Sequence, residues 1–175
     1  MTRFVFIVLF SLFAIAYSQP KPTTQSAAPV PTILWGTCPQ LEPSETDKKS
    51  KAKILADCLK DFPIPEKVTE QTIAQHQKSI AECALKKENW FESDGSYKFS
   101  KAESEIKKKK LDSKMEAELL AAHSKCKGEA KEMFKTPKVA GGNNVEQVQF
   151  FQSCMDFHIT KSCNIKIQQP AVSAS

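Results

Sequence analysis

Six cysteines are the residues of this 175-residue sequence with the clearest chemistry, and they stand at Cys38, Cys58, Cys83, Cys126, Cys154 and Cys163. Cysteines form disulfides in an oxidising compartment and commonly bind zinc in a reducing one. No two of them have Cys-x-x-Cys spacing, and His76, His123 and His158 do not cluster in the sequence. This argues against a zinc site. The even number of cysteines predicts three disulfides, and counting alone leaves the pairing open.

The first 18 residues have the pattern of an export signal. Arg3 precedes an apolar run from Phe4 to Ala16, and Ala16-Tyr17-Ser18 then provides small residues for cleavage before Gln19. The run is too short to span a membrane, and no later run approaches the roughly 20 apolar residues that a spanning helix needs. We therefore predict a signal peptide over residues 1–18 and a secreted, extracellular protein without membrane insertion.

Catalytic motifs are absent from the sequence. It has no Gly-x-Ser-x-Gly, no phosphate-binding loop and no His-Glu-x-x-His, and His123 and Ser124 would point in different directions on a helix. Arg3 is the only arginine, whereas specific phosphate or base recognition favours the guanidinium group. We predict no enzyme activity, no catalytic residue, no metal, no cofactor and no nucleic-acid partner.

The segments that carry the cysteines are predicted to form helices. Ser44 to Asp47 is a capping signature for a first helix that Pro63 ends, and a second helix is predicted from about Thr69 to Lys87. Two further capping boxes, Ser100-x-x-Glu103 and Ser113-x-x-Glu116, predict a short helix and a long one.

Asn144 can cap a last helix. The sequence predicts an all-α fold of five to six helices with one domain over residues 38–167. A flexible Pro/Ser/Thr-rich lead-in is predicted over residues 19–37, with Ile33 to Trp35 docked near Cys38, and a disordered tail over residues 168–175.

The stretch from Cys83 to Cys126 resembles part of a known family. It contains a turn at Asp94-Gly95 followed by Tyr97 and Phe99, and the later spacing Cys154-x8-Cys163 is also that of the family. These features are similar to arthropod odorant-binding proteins, and the variant cysteine pattern resembles the odorant-binding-like proteins of ticks and other chelicerates. The resemblance covers about Cys58 to Cys163.

The resemblance also implies a disulfide map. Lys87 stands where the family has its third cysteine, and Cys38 is a cysteine that the family usually lacks. When the family pairing is carried over with Cys38 as the partner of Cys58, the implied bridges are Cys38–Cys58, Cys83–Cys154 and Cys126–Cys163.

A carrier function follows from the same resemblance. Family members enclose a central apolar cavity for a small hydrophobic or amphipathic ligand, such as an odorant, another semiochemical or a lipid-like molecule. A membrane receptor is a second candidate partner, and a monomer or weak dimer is expected. The candidate ligand-binding residues are Phe62, Trp90, Phe91, Tyr97, Phe99, Met115, Leu119, Met133, Phe150, Phe151 and Phe157.

Two other functions stay open at this point. A secreted protein of this type, for example a salivary one, can sequester a host mediator. Alternatively, a helical module with a solid core can act through its Lys-rich surface. The run Lys107 to Lys110 is either a solvated helix face or a patch for an anionic surface or ligand.

Ligand release at low pH is a further hypothesis. Histidine is the side chain whose ordinary pKa lies between about pH 5 and 8, and the sequence has His76, His123 and His158. If one of them closes the cavity, ligand affinity should fall as the pH falls towards about 5. An affinity that stays constant over this range would rule the hypothesis out.

Overall fold

The fold was analysed in a computed structural model that describes residues 31–134 and 144–168. The predicted signal peptide, the first part of the lead-in and the tail after residue 168 lie outside these residues. The described elements, in chain order, are β1 (Thr32–Leu34), a 3-10 turn (Pro39–Leu41), α1 (Glu45–Asp61), α2 (Glu70–Lys87), α3 (Phe99–Lys107), α4 (Ser113–Met133), α5 (Val145–Cys163) and β2 (Lys166–Gln168).

Three of the predicted helix starts are confirmed by the caps. Ser44 and Thr69 each accept a hydrogen bond from the backbone N–H three residues later and form capping boxes. Asn144 accepts from the backbone N–H of Gln147. These side chains satisfy N–H groups that have no partner inside the helix, so the start of α1, α2 and α5 is encoded locally.

The predicted N-cap positions of the two central helices, Ser100 and Ser113, are wrong by two residues and by one residue. Helix α3 begins at Phe99 after Lys98, which makes no side-chain cap, so Ser100 already lies inside the helix. Helix α4 is capped by Asp112, whose carboxylate accepts from the N–H of Met115, and Ser113 is its first residue. An aspartate caps as well as a serine and adds favourable charge at the helix N-terminus, which explains why Asp112 takes this position.

Helices α4 and α5 form an antiparallel hairpin. The Sδ of Met115, near the start of α4, lies 3.9 Å from the Sγ of Cys163, at the end of α5. Halfway along the hairpin, Cys126 and Cys154 form a disulfide with a Cα–Cα distance of 5.8 Å. The implied bridge Cys126–Cys163 is therefore wrong, because Cys126 lies roughly 16 Å along α4 from the level of Cys163.

Helix α1 crosses the C-terminal half of α2. Cys58 is bonded to Cys83, and Asp61 lies 3.3 Å from Lys87 in an ion pair. The Pro-rich connection over residues 62–69 then leads to the start of α2, and the carbonyl oxygen of Phe62 at its beginning accepts a hydrogen bond from the Nε2 of His76. Both the implied Cys38–Cys58 bridge and the implied Cys83–Cys154 bridge are wrong, because this crossing brings Cys58 and Cys83 together.

The two ends of the described chain are joined. Strand β1 pairs antiparallel with β2, with Ile33 opposite Ile167, and Cys38 forms a disulfide with Cys163. Ile33 to Trp35 are predicted to dock near Cys38, and the described end of the lead-in packs against the end of α5. Gly36 has φ +55°, and a Cβ added there would lie 1.9 Å from the carbonyl oxygen of Cys163, so glycine is required at this crossing.

Over the described residues 31–134 and 144–168, the architecture is therefore an all-α fold of five helices with a short two-stranded sheet, closed by three disulfides. Within residues 31–134 and 144–168, every helix is too short or too polar to cross a membrane.

Candidate ligand-binding site

An aromatic cluster lies at the centre of the fold, where the segment before α3 meets α5. Tyr97 packs edge-on against Phe99 at 4.9 Å between ring centroids, and Phe151 lies 5.3 Å from Tyr97 and 5.1 Å from Phe99. Trp90 stacks on the other side of Tyr97 at 6.0 Å. These spacings are those of favourable aromatic pairs, so the four rings form one continuous packed group.

The Asp94-Gly95 turn positions the cluster. Gly95 has φ +78°, and the Oδ1 of Asp94 accepts a hydrogen bond from the N–H of Ser96 at 2.8 Å. Hydrogen bonds from the Ser96 side chain and, second, from its backbone N–H lower the pKa of the exposed Asp94. The carbonyl oxygen of Gly95 accepts from the N–H of Asn144 at 2.9 Å, which ties the turn to the start of α5. The predicted turn is confirmed, and its contact with α5 brings Tyr97 against Phe151.

Two of the three histidines are buried and bound to backbone. The Nε2 of His123 donates to the carbonyl oxygen of Phe99 at 3.0 Å, and its ring lies 5.3 Å from that of Phe151. The Nε2 of His76 donates to the carbonyl oxygen of Phe62 at 3.0 Å, outside the aromatic cluster. His123 is therefore the histidine that the structure places at the cluster, and the low-pH release hypothesis rests on it.

The structure divides the predicted ligand-binding residues into three groups by burial. Six of them are buried in the main core, namely Trp90, Phe91, Tyr97, Phe99, Leu119 and Phe151. Met115 and Phe150 are partly buried and pack against that core. The other three, Phe62, Met133 and Phe157, have side chains that are 41–64% exposed. The core group and its two neighbours form one region, and the exposed residues do not join it.

Phe62 lines a separate, open surface pocket of about 280 Å³ between the end of α1 and α2, with Cys83, Lys86 and Lys87 among its other lining residues. Both lysines are in ion pairs, Lys86 with Glu82 and Lys87 with Asp61. The volume is at the lower limit for sites that hold small molecules. The pocket is distinct from the aromatic cluster.

A buried polar network supports one side of the cluster. Lys51 of α1 and Glu88 at the end of α2 form an ion pair in which the side chains are only 7% and 10% exposed. The second carboxylate oxygen of Glu88 accepts from the indole N–H of Trp90 at 2.7 Å, and the Nζ of Lys101 lies 3.9 Å from the Trp90 ring centroid. The network fixes the Trp90 ring from both its edge and its face.

Asp156 is a titratable group that the sequence analysis missed. It is partly buried on α5, and this burial raises the pKa of its carboxyl to about 7. Gln152 lies one turn earlier on the same helix face, and its buried Nε2 has no hydrogen-bond partner among the described residues. Burial therefore brings the pKa of an aspartate into the range where the ordinary pKa of histidine lies.

Replacing Asp156 with asparagine is expected to stabilise the protein at high pH and not at low pH. Because the pKa of Asp156 is about 7 in the folded protein and about 4 in the unfolded chain, the unfolded chain releases this proton at lower pH. The free energy of unfolding of the protein therefore falls as the pH rises from about 4 to 7. The gain from Asp156→Asn should reach at most about 4 kcal/mol at pH 8 and vanish near pH 4. Urea unfolding at both pH values measures this, with Asp57→Asn as the control, and an equal gain at both would contradict it.

The Lys107–Lys110 run does not form a uniform basic patch. Lys107 pairs with Glu103 at 2.7 Å and Lys108 with Glu105 at 2.9 Å, and burial lowers the pKa of Lys109. Two of the four charges are therefore offset on the same helix. This arrangement favours a solvated helix end over an anion-binding surface.

The five helices of the described part of the chain, its three disulfides and its central aromatic cluster define a small disulfide-stapled all-α protein. Two solved structures of OBP1 from the mite Varroa destructor, in different crystal forms, are similar to this chain. The first has 44% sequence identity and a TM-score of 0.74, and the match covers 82% of this chain and 98% of that chain. The second has the same identity and a TM-score of 0.70, with 81% and 99% covered.

This chain therefore belongs to the odorant-binding-like proteins of chelicerates, as a divergent member. No protein-family model matches it, and a comparison with curated proteins found no match.

Proposed function

We propose that this protein is a secreted carrier that binds a small hydrophobic or amphipathic molecule among its helices. The observation that carries the proposal is the 44% identity to OBP1 from Varroa destructor, an odorant-binding homologue, over 82% of the chain. Proteins of this kind are carriers and not enzymes. The three disulfides agree with an oxidising, extracellular environment.

The main core, which contains the aromatic cluster, is the proposed ligand site. Tyr97, Phe99 and Phe151 provide rigid apolar surface within it, and Met115 and Phe150 are partly buried against the same core. Thioether side chains repack easily around ligands of different shape, which suits Met115 for a site that accepts several molecules. A ligand that buries roughly 300 Å² of apolar area would gain about 7–8 kcal/mol, and ordering costs would offset part of this. Micromolar affinity is the result we expect.

Met115 and Met133 are a matched pair for a test of this location, because both lie on α4 and only their surroundings differ. Met115 packs against the core, whereas Met133 is 63% exposed. Met115→Ala should weaken the binding of an environment-sensitive naphthylamine dye by about tenfold, since it removes apolar contact area worth roughly 1–2 kcal/mol. Met133→Ala should leave dye binding unchanged.

Fluorescence titration at one protein concentration measures both affinities, and helical circular dichroism confirms that each variant is folded. Equal losses in the two variants would contradict the proposed location. Wild-type protein that takes up no dye would contradict the carrier function itself. A native mass spectrum of the protein purified without added ligand would then identify what it carries.

A further inference from the structure

The sulfur atoms of Cys126 and Cys154 have a histidine beside them that the sequence alone does not reveal. The nearest ligand atoms of Cys126, Cys154 and His158 all lie within 4.8 Å of one another. Cys154 and His158 are four residues apart on α5 and thus share one helix face. The sequence does not show this group because Cys126 comes from the other helix of the hairpin.

A carboxylate completes the surroundings of this disulfide. The Oε2 of Glu129 lies 3.8 Å from the Sγ of Cys154, and Glu129 follows Cys126 by three residues on α4. The hairpin thus presents Cys126 and Glu129 on one helix and Cys154 and His158 on the other. Two sulfurs, one imidazole and one carboxylate are ligand types that bind zinc in tetrahedral sites.

Of the three disulfides, this one is the most accessible. Cys38, Cys163, Cys58 and Cys126 are 0% exposed and Cys83 is 8% exposed, whereas Cys154 is partly exposed. A reductant in solution can therefore reach the Sγ of Cys154 before it reaches either of the other two bridges. The Cys38–Cys163 and Cys58–Cys83 bridges would then continue to hold the fold.

We propose that Cys126 and Cys154, once reduced, form with His158 and Glu129 a site for a thiophilic divalent cation such as Zn²⁺. A phosphine and one water reduce the disulfide to two thiols, and the phosphine is oxidised to its oxide. The cation then binds both thiolates and displaces two protons into solvent. The Cα–Cα distance of 5.8 Å leaves the two sulfurs free to separate by side-chain rotation to the roughly 3.8 Å that two Zn–S bonds of about 2.3 Å require.

The first test is the order of reduction in the full mature protein. A limiting amount of a water-soluble phosphine, followed by alkylation and peptide mapping, should label Cys126 and Cys154 before the other four cysteines. The proposal would be overturned if the first label appeared on Cys58, Cys83, Cys38 or Cys163. The exposure of the Cys154 sulfur would then not determine which disulfide is reduced first.

The second test is a titration of the reduced protein with Co²⁺, which reports its ligands by colour. One equivalent should produce the intense visible bands of a tetrahedral cobalt–thiolate site, and Zn²⁺ should bleach them because it binds more tightly. His158→Ala should weaken Co²⁺ binding by at least about tenfold. Glu129→Gln should weaken it less, and Glu118→Gln, at an exposed position of the same helix, should bind as the wild type does.

Absence of the thiolate bands, or a His158→Ala variant that binds Co²⁺ as tightly as the wild type, would overturn the proposal. If reduction lowers the helical signal, Zn²⁺ should restore it in the wild type and fail to do so in His158→Ala, because metal binding and folding are coupled. A wild-type signal that Zn²⁺ does not restore would also overturn it.

Discussion

Replacing Lys51 with methionine is expected to lower the free energy of unfolding by about 3–5 kcal/mol. The ammonium group of Lys51 is paired with Glu88 where both side chains are almost fully buried. Without it, the Glu88 carboxylate stays in a region of low polarity with its charge less well compensated. Urea unfolding at neutral pH, followed by the fluorescence of the two tryptophans, of which Trp90 is in direct contact with Glu88, measures the loss.

The double variant Lys51→Met/Glu88→Gln separates the cost of the charge from the loss of contacts. Glutamine keeps an oxygen that can accept from the Trp90 N–H, and the double variant buries no charge at this position. Its stability should therefore exceed that of Lys51→Met alone. Lys48→Met is the control on the same helix, since Lys48 is 43% exposed in its pair with Glu45 and should change stability by less than about 1 kcal/mol. A double variant less stable than Lys51→Met would contradict this account.

Removal of the Cys38–Cys163 disulfide should cost about 5 kcal/mol. It links residues 125 apart in the chain, and a bridge that closes so long a loop restricts the unfolded chain strongly. The paired variant Cys38→Ala/Cys163→Ala should show this loss in urea unfolding. The β1–β2 pairing should loosen as well, because a two-stranded sheet is only marginally stable on its own.

Cys58→Ala/Cys83→Ala is the matched comparison. This bridge links residues 25 apart, so the same chain-entropy argument gives a smaller loss of about 3.5 kcal/mol. All four cysteines are buried, which makes the packing losses similar. A larger loss for the shorter loop would contradict the assignment of the effect to the unfolded chain.

The sequence alone determined the helices and the family. Caps at Ser44, Thr69 and Asn144 and the turn at Asp94-Gly95 are short-range features, since each depends on hydrogen bonds within a few residues. They can therefore be read without knowledge of the fold. The Cys154-x8-Cys163 spacing and this turn were also sufficient for the resemblance that the similarity to OBP1 from Varroa destructor confirms.

The aromatic cluster could be predicted in part. Tyr97 and Phe99 follow the same turn, and Phe151 is among the candidate ligand-binding residues, but the contact of Phe151 with the other two rings depends on how α5 packs. The exposure of Met133 and Phe157 could not be predicted, because hydrophobic residues at helical spacing do not show which stripe of a helix faces its neighbour.

The cysteine pairing was decided by the tertiary structure. A bridge forms where two Cα atoms come within about 7 Å, and that depends on how whole helices cross. The crossing of α1 over α2 joins Cys58 to Cys83, and the α4–α5 hairpin joins Cys126 to Cys154. The carried-over family pairing assumed another arrangement of helices and gave three wrong bridges.

The same reason applies to the pair of Lys51 and Glu88, which are 37 residues apart, and to the raised pKa of Asp156. Burial and long-range contact are properties of the packed molecule. Local sequence patterns do not contain them.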